Sequence, residues 1–364
     1  MIQLRRNSVP LLASAAFLLF ACLAAAGLCG SPFISSSLLG QDASKSRVAT
    51  LTPPSLPYID AHTHIYQIDP EGAVSLLLSA MDRLNTTKAF IQTEPYGPDN
   101  PGRWDVEMIL SAVKKHPQKL ALLGGGGTLN PMILEASRTG NAGPEVQKKF
   151  RARAEELVRL GVVGFGELSI EHLSLPQSPV KDYEYAPADS PLMLLLADIA
   201  AEHNVPIDLH MEALPQTIPT PAEYGPPNPP ELHGNIPALE KLLAHNARAK
   251  IIWAHAGSDN IGYRTPELCR RLLQAHANLY MEIKFDPGFP GKDPPIVDGK
   301  LKPEWLKLYS DFPDRFIIGS DQHFDPPAAA PLARAQQNAL LLNQLPSDLR
   351  KKIAMDNALR IYTK

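Results

Sequence analysis

Short apolar runs alternate with segments of helical periodicity along most of this chain, and no other feature limits its possible folds as strongly. The apolar runs predict strands at residues 57–65, 87–94, 119–128, 161–168, 205–211, 249–256, 278–285 and 315–321. Segments with helical spacing predict helices near residues 71–84, 103–116, 145–160, 190–203, 235–246, 265–276, 303–310 and 330–344. Strands that alternate with helices form parallel β/α units. Eight such units predict an α/β fold, the (β/α)8 TIM barrel, whose active site lies at the C-terminal ends of its strands.

Two histidines lie two residues apart in the first predicted strand. His62 and His64 therefore point to the same face of that strand, where their imidazoles converge. Imidazole is a ligand of zinc, copper, iron and nickel, whereas magnesium and calcium sites consist mostly of oxygen ligands. A His-x-His pattern alone is also compatible with two structural histidines, because short motifs often occur by chance.

Other metal-ligating residues occupy the same place in their own segments, at the end of a short apolar run. They are Glu167, His210, His255 and Asp321. Because parallel barrel strands end on the same side, we expect these side chains to meet His62 and His64 there. A histidine-rich set with two carboxylates favours zinc, with manganese or iron as alternatives. The sequence thus predicts a divalent-metal site.

The pieces that carry a family resemblance are Asp60-Ala-His-Thr-His64, the single histidines His210 and His255, Gly319-Ser-Asp321, and the closing Asp356-Asn-Ala-Leu-Arg-Ile-Tyr362. In this order they resemble the amidohydrolase superfamily, nearest to its amidohydrolase-2 branch. The resemblance covers about residues 57–362. It implies that His62, His64 and Asp321 hold the more buried metal, and that His210 and His255 complete the ligand set.

Glu167 leaves two models of the metal site open. Many two-metal members of the superfamily have a carbamate-forming lysine after strand 4, whereas this chain has a glutamate, as in the TatD-like branch. A glutamate bridges two cations without modification, which favours a binuclear site. In the alternative, Glu167 is a structural carboxylate paired with a basic neighbour. One metal is then held by the remaining ligands, and His255 orients the substrate.

A metal centre of this kind indicates a hydrolase, because a bound divalent ion activates water and polarises the carbonyl under attack. The predicted substrate is a small molecule with an amide, ester or lactone carbonyl. Asp321 is the expected general base, and His255 is the second catalytic candidate.

Other functions are compatible with the same residues. Decarboxylases and lyases of the superfamily share the barrel and the metal, so the fold does not separate them from hydrolases. A non-catalytic, barrel-fold binding lipoprotein is disfavoured by the intact set of ligand candidates. A TatD-like nuclease, suggested by Glu167, is disfavoured by the net charge of -3 and by the lack of a basic cluster. Nucleic acid is therefore not an expected partner.

Further polar residues share the inward orientation predicted for the ligands. Lys284 either binds an anionic substrate or pairs with Glu282 or Glu212. Glu94 and His323 either contact the substrate or hold a ligand histidine in place.

The N-terminal residues have the pattern of an export signal. Two arginines precede a long apolar run, so residues 1–28 are interpreted as a signal peptide or a retained anchor. Leu19-Phe-Ala-Cys22 also loosely resembles a bacterial lipoprotein cleavage box. Residues 29–56 are then a linker, and residues 57–364 form the barrel domain. We expect the protein outside the cytoplasm, either periplasmic or anchored to a membrane.

Overall fold

The computed structural model describes residues 53–65, 67–99, 105–175, 183–286, 291–327 and 332–363. Its centre is a curled sheet of parallel strands in which chain neighbours pair with one another. The strands are β1 Tyr58–Ile65, β2 Thr86–Gln92, β3 Leu120–Gly125, β4 Gly164–His172, β5 Pro206–Met211, β6 Lys250–Ala256, β7 Leu279–Ile283, β8 Phe316–Ile318 and β9 Gln322–Phe324. The predicted signal peptide or anchor, and most of the predicted linker, lie outside the described residues.

The sheet closes into a barrel through one segment near the C-terminus. β8 pairs in parallel with β7, and β9 pairs in parallel with β1. Between them the backbone amides of Ser320 and Asp321 donate to the carbonyl oxygen of His62, at 3.2 and 2.8 Å. The predicted (β/α)8 barrel is confirmed. The single strand predicted at 315–321 was wrong in extent, because the chain turns onto His62 and resumes as β9.

Helices cover the outside of the sheet. They are α1 Pro70–Leu84, α2 Leu110–Val113, α3 Leu129–Thr139, α4 Pro144–Leu160, α5 Pro191–His203, α6 Ile236–His245, α7 Pro266–Ala275, α8 Pro303–Asp311, α9 Ala333–Leu342, α10 Ser347–Lys351 and α11 Asn357–Tyr362. Many begin with proline, whose fixed φ suits a first turn where its missing amide hydrogen is not needed. Among the described residues, no helix has the length and apolar character needed to cross a membrane.

Short irregular elements complete the chain. They are 3-10 turns at Val106–Met108 and Ala222–Tyr224, a π-helical stretch at Lys352–Asp356, the ladders Ile218–Pro219 with Glu231–Leu232 and Ile296–Val297 with Lys300–Leu301, and Glu184–Tyr185 beside β4. The predicted helix 103–116 is therefore reduced, within the described residues, to a 3-10 turn and α2. The other predicted helices match α1, α4 to α9 closely.

The segment after β3 differs most from the prediction. β3 ends at Gly125 rather than at residue 128, and an unpredicted helix, α3, follows. Gly125 has a φ of 112°, and a Cβ on Gly126 would lie 2.3 Å from the carbonyl oxygen of Thr93. Only glycine permits both the turn and this close approach, so the chain leaves the strand early and starts a helix.

Apolar side chains pack on both sides of the sheet. The larger cluster lies between the sheet and the helices. A smaller cluster joins Phe90 and Ile252, from the strands, to Ile361 and Tyr362 of α11. The rings of Phe90 and Tyr362 stack with centroids 4.1 Å apart. The C-terminal helix therefore closes one end of the barrel with apolar contacts, and the polar candidates gather at the other end.

Replacing Gly319 with alanine is expected to destabilise the barrel where it closes. An alanine Cβ there would lie 2.6 Å from His62 Cβ and 2.6 Å from the carboxyl carbon of Glu282, both buried. Overpacking of this kind costs about 1–3 kcal/mol. Thermal denaturation should give a lower midpoint than for Gly225→Ala, whose exposed Cβ would meet no atom within 4 Å. Equal midpoints for the two variants would contradict this packing.

Candidate metal centre

The structure brings all the predicted metal ligands to one end of the barrel. They are His62 and His64 in β1, Glu167 in β4, His210 in β5, His255 in β6 and Asp321 between β8 and β9. Their donor atoms form two groups, and within each group all atoms lie within 4.8 Å of one another. The first ligand group is His62, His64, Glu167 and Asp321, and the second ligand group is Glu167, His210 and His255. Glu167 belongs to both groups.

The hydrogen bonds of His62 and His64 leave one lone pair of each ring facing the other. His62 Nδ1 lies 2.7 Å from Glu282 Oε2, and His64 Nδ1 lies 3.1 Å from the carbonyl oxygen of Gln92. Because both partners are acceptors, each Nδ1 carries the proton. The two Nε2 atoms then both present lone pairs, and they lie 3.1 Å apart. Two nitrogens at this distance share either a proton or a metal ion, and the carboxylate oxygens of Glu167 and Asp321 beside them complete a donor set that fits a metal.

Glu167 directs one carboxylate oxygen at each ligand group. Its Oε1 lies 2.8 Å from His210 Nδ1 and 3.1 Å from His255 Nε2. Its Oε2 lies 3.5 Å from His64 Nε2 and 3.7 Å from His62 Nε2. Burial opposes the charged form, but contacts with the four imidazoles outweigh it and hold the pKa of Glu167 well below its usual value. An ionised carboxylate in this position is suited to bridging two cations.

Two of the candidate ligands have left-handed backbone conformations. The φ angles are 66° at His255 and 50° at Asp321. Such conformations cost non-glycine residues about 1–3 kcal/mol and persist only where surrounding contacts hold them. The amide of Asp321 donates to His62, and the carbonyl oxygen of His255 accepts from the amide of Ser258 at 2.9 Å. Strain of this kind concentrates at functional sites, and these two residues are the ones predicted to be catalytic.

Glu282, in β7, holds histidines from both ligand groups. Its Oε2 accepts the hydrogen bond from His62 Nδ1, and its Oε1 lies 3.5 Å from His255 Nδ1. The side chain is fully buried, which opposes ionisation, but the two imidazoles outweigh burial and lower the pKa of Glu282. A charged carboxylate behind a ligand histidine fixes the ring and raises its basicity. The sequence indicated Glu282 only as a partner for Lys284.

Asp321 is held by two cationic side chains. Its Oδ2 accepts hydrogen bonds from Lys284 Nζ at 2.7 Å and from Arg334 Nη1 at 3.0 Å, while Oδ1 faces the first ligand group. Burial opposes ionisation, but Lys284, the neighbouring histidines and Arg334 hold the pKa of Asp321 well below its usual value. The alternative pairing of Lys284 with Glu282 or Glu212 was wrong, because its ammonium group reaches Asp321 instead.

Arg334, near the start of α9, is a site residue that the sequence did not indicate. Its Nε also donates to Asp286 Oδ2 at 2.6 Å. It therefore links the segment after β7 to the turn before β9. An arginine in the first turn of a helix carries no signal of this role. Only the folded arrangement, in which the start of α9 lies near Asp321, brings its guanidinium to that carboxylate.

Glu94 and His323 form an ion pair beside the first ligand group. His323 Nδ1 lies 2.9 Å from Glu94 Oε1, and its ring stacks on His64 with centroids 4.6 Å apart. Burial lowers the pKa of His323, but Glu94 and Asp321 outweigh it and raise that pKa to about 10. The pair thus supports His64 and adds a positive ring to the site.

The ligand groups open onto a cavity of about 660 Å³, a size that suits a small molecule. The predicted substrate residues Lys284, Glu94 and His323 all line it. On the side of β5 and β6 the lining also includes Glu212, Asn260 and Arg264. The sequence did not assign these last residues to the substrate, because they lie on loops beyond the apolar runs.

The Amidohydrolase family model matches residues 138–364, which is more than half of the chain. The protein therefore belongs to the amidohydrolase family. The match includes Glu167, His210, His255 and Asp321, whereas β1 with His62 and His64 precedes it. A comparison with curated proteins gave no match.

Solved structures that align with this chain share little sequence with it. An amidohydrolase from Mycobacterium avium subsp. paratuberculosis is 14% identical, with 81% of this chain and 75% of that chain covered and a TM-score of 0.43. A mutant PTE-like lactonase from Deinococcus radiodurans is 12% identical, with 85% and 96% covered and a TM-score of 0.48. Amidohydrolase 2 from Bifidobacterium longum subsp. infantis is 14% identical, with 85% and 99% covered and a TM-score of 0.34. The family assignment rests on the family model and not on these alignments.

Family membership confirms the predicted class of protein, which is a hydrolase-family enzyme with a barrel fold. The clustered histidines and carboxylates are suited to the divalent metals that the superfamily uses. The identity of the metal and the roles of the individual residues stay predictions.

Protein prepared without chelator is expected to contain about two equivalents of divalent metal, and Glu167→Gln about one, because an amide bridges two cations less well than a carboxylate. Elemental analysis of both purified proteins measures the difference. Glu145→Gln alters an exposed carboxylate and should keep the full metal content. An unchanged content in Glu167→Gln would support the one-metal model, in which Glu167 is structural.

Proposed function

We propose that this protein is a metal-dependent hydrolase that uses activated water to attack the carbonyl of a small amide, ester or lactone. The observation that carries the proposal is the position of Glu167, whose two oxygens face two separate groups of histidine donors. Nitrogen and carboxylate donors in this number suit two divalent ions. Zinc is favoured, and manganese and iron are alternatives.

Divalent ions bound there would polarise the carbonyl and lower the pKa of water from about 15.7 to about 7. Asp321 is the proposed general base. Its carboxylate is ionised, and Lys284 and Arg334 hold Oδ2 so that Oδ1 points at the ligand atoms. A base fixed in this orientation takes a proton from water and returns it to the leaving group.

His255 is the second proposed catalytic residue. Its Nε2 lies 3.1 Å from Glu167 Oε1, and the residue lines the cavity. Burial and the charge of Lys284 lower the pKa of His255, so its imidazole is neutral. A neutral imidazole serves as a ligand in the two-metal site. In the one-metal site it would orient the substrate carbonyl instead.

Lys284, Glu94 and His323 are proposed to contact the substrate, because all three line the cavity beside the first ligand group. The charges of Lys284, His323 and Arg334 lie close to Asp321. Positive groups fixed in advance stabilise the negative charge that develops on a carbonyl oxygen during attack. This side of the cavity therefore suits the reacting end of the substrate.

The proposed place of action is outside the cytoplasm, because residues 1–28 have the composition of a signal peptide or anchor. Decarboxylation of a metabolic intermediate is expected inside the cell. An export signal therefore favours hydrolysis over the decarboxylase alternative.

Asp321→Asn is expected to lower turnover about 10²–10⁴-fold while keeping most of the metal, because the amide retains a ligand oxygen but is not a base. Chromatographic measurement of the carboxylate formed from a panel of small lactones, esters and amides gives the turnover. Asp325→Asn changes an exposed carboxylate nearby and should stay active.

Turnover of Asp321→Asn close to that of the unmodified enzyme would remove Asp321 from the role of base. Release of carbon dioxide from carboxylated compounds, without hydrolysis of any panel member, would identify a decarboxylase instead.

A further inference from the structure

Buried carboxylates lie together on the side of the cavity formed by β4 and the segments after β5 and β6. Glu171, Glu212 and Asp259 are exposed by only 1, 3 and 1%. The side-chain hydrogen bonds of the two glutamates come from neutral groups. Glu171 accepts from Asn235 and Tyr183, and Glu212 accepts from Asn260 Nδ2 at 2.5 Å. Hydrogen bonds of this kind supply no positive charge to pair with an ionised carboxylate.

Among the described residues, the charge of Arg264 favours the ionised form of Glu212. The guanidinium of Arg264, however, forms its hydrogen bonds with other groups. Its two terminal nitrogens donate to the backbone carbonyls of Ala254 and Met211. Its guanidinium carbon lies 4.4 Å from the centre of the Trp253 ring. Burial outweighs these contacts and raises the pKa of Glu171 to about 8 and that of Glu212 to about 7, so the groups around the two glutamates do not stabilise their full ionisation.

Glu212 is the member of this group that lines the cavity, together with Asn260 and Arg264. Its Oε2 has no hydrogen-bond partner among the described residues. A buried carboxylate oxygen without a donor is costly, so a ligand that supplies one is favoured. Glu212 follows His210 by two residues, which at strand spacing places it about 7 Å farther towards the mouth of the barrel.

We propose that Glu212, with Asn260 beside it, binds a protonated amino group of the substrate. An ammonium supplies both an N–H donor for Oε2 and a positive charge that favours the ionised carboxylate, whereas a hydroxyl supplies only the donor and an anion supplies neither. The inference rests on the proposed hydrolase and narrows its substrates to small amides, esters or lactones that carry an amine. The amine binds on the Glu212 side, and the carbonyl lies at the ligand groups.

Product analogues test this assignment without requiring turnover. Hydrolysis leaves a carboxylate where the carbonyl was, so 4-aminobutanoate, 5-aminopentanoate and 6-aminohexanoate present that carboxylate and an ammonium at increasing separations. Butanoate, pentanoate and hexanoate are the matched acids without the amine. Calorimetric titration of metal-loaded protein with each compound gives the affinities. At least one amino acid should bind about tenfold more tightly than its matched acid, as expected for a charge-assisted hydrogen bond in a buried site.

Glu212→Gln should abolish this preference while leaving the affinity for the unsubstituted acids unchanged. The substitution keeps the shape of the side chain but removes its charge. Glu231→Gln, on the exposed ladder outside the barrel, should keep the full preference. Metal content and the denaturation midpoint show that each variant is folded.

Equal affinities of the unmodified protein for amino acids and matched acids, at every chain length, would overturn the proposal, and this comparison depends on no variant. A preference that survives in Glu212→Gln would overturn it as well. A different result would reject the proposed hydrolase function. A preference for amines without hydrolysis of aminated or plain lactones, esters and amides would reject the hydrolase and leave the amine site in place.

Discussion

The carbonyl oxygen of His62 connects the closure of the barrel to the geometry of the candidate metal centre. It accepts hydrogen bonds from the amides of Ser320 and Asp321, so the last strand segment closes the sheet by binding beside a candidate ligand. Asp60 strengthens this link, because its Oδ1 accepts from the amides of Ser320 at 2.9 Å and His62 at 3.3 Å. Glu282 then holds the His62 ring through Nδ1. Barrel closure and ligand placement are therefore one set of contacts.

Beneath this centre, two buried carboxylates differ in charge. Burial raises the pKa of Asp208 well above its usual value, and the negative charge of Glu282 adds to this, although His62 acts in the opposite direction. Burial acts in the same way on Glu282, but its contacts with His62 and His255 outweigh it. Two like charges in a water-free interior would destabilise the fold. The barrel avoids this by keeping the charge on the carboxylate that orients the imidazoles.

Strand periodicity predicted that the candidate ligands lie together, because His62 and His210 belong to apolar runs whose ends share one side of a barrel. Residues that reach the site from outside the strands were not predictable. Arg334 arrives on a helix and Asn260 on a loop, and only long-range packing brings them to the cavity. The end of β8 at Ile318 was not predictable either, because it also depends on a long-range contact. Its apolar run predicts a continuous strand, but hydrogen bonds to a carbonyl in β1 turn the chain at Asp321.

The two sides of the cavity carry different groups, with cationic side chains on one side and buried carboxyl groups on the other. Lys284 and Arg334 lie beside Asp321, whereas Glu212 and the carboxylates behind it lie on the side of β5 and β6. We propose that the groups on these two sides orient the substrate before it reaches the ligand groups, with its amine at Glu212 and its carbonyl near Asp321. A substrate without the amine keeps its contact with the metal but loses the alignment. Since positioning of the reacting atoms contributes strongly to catalysis, orientation and not metal affinity then distinguishes good substrates from poor ones.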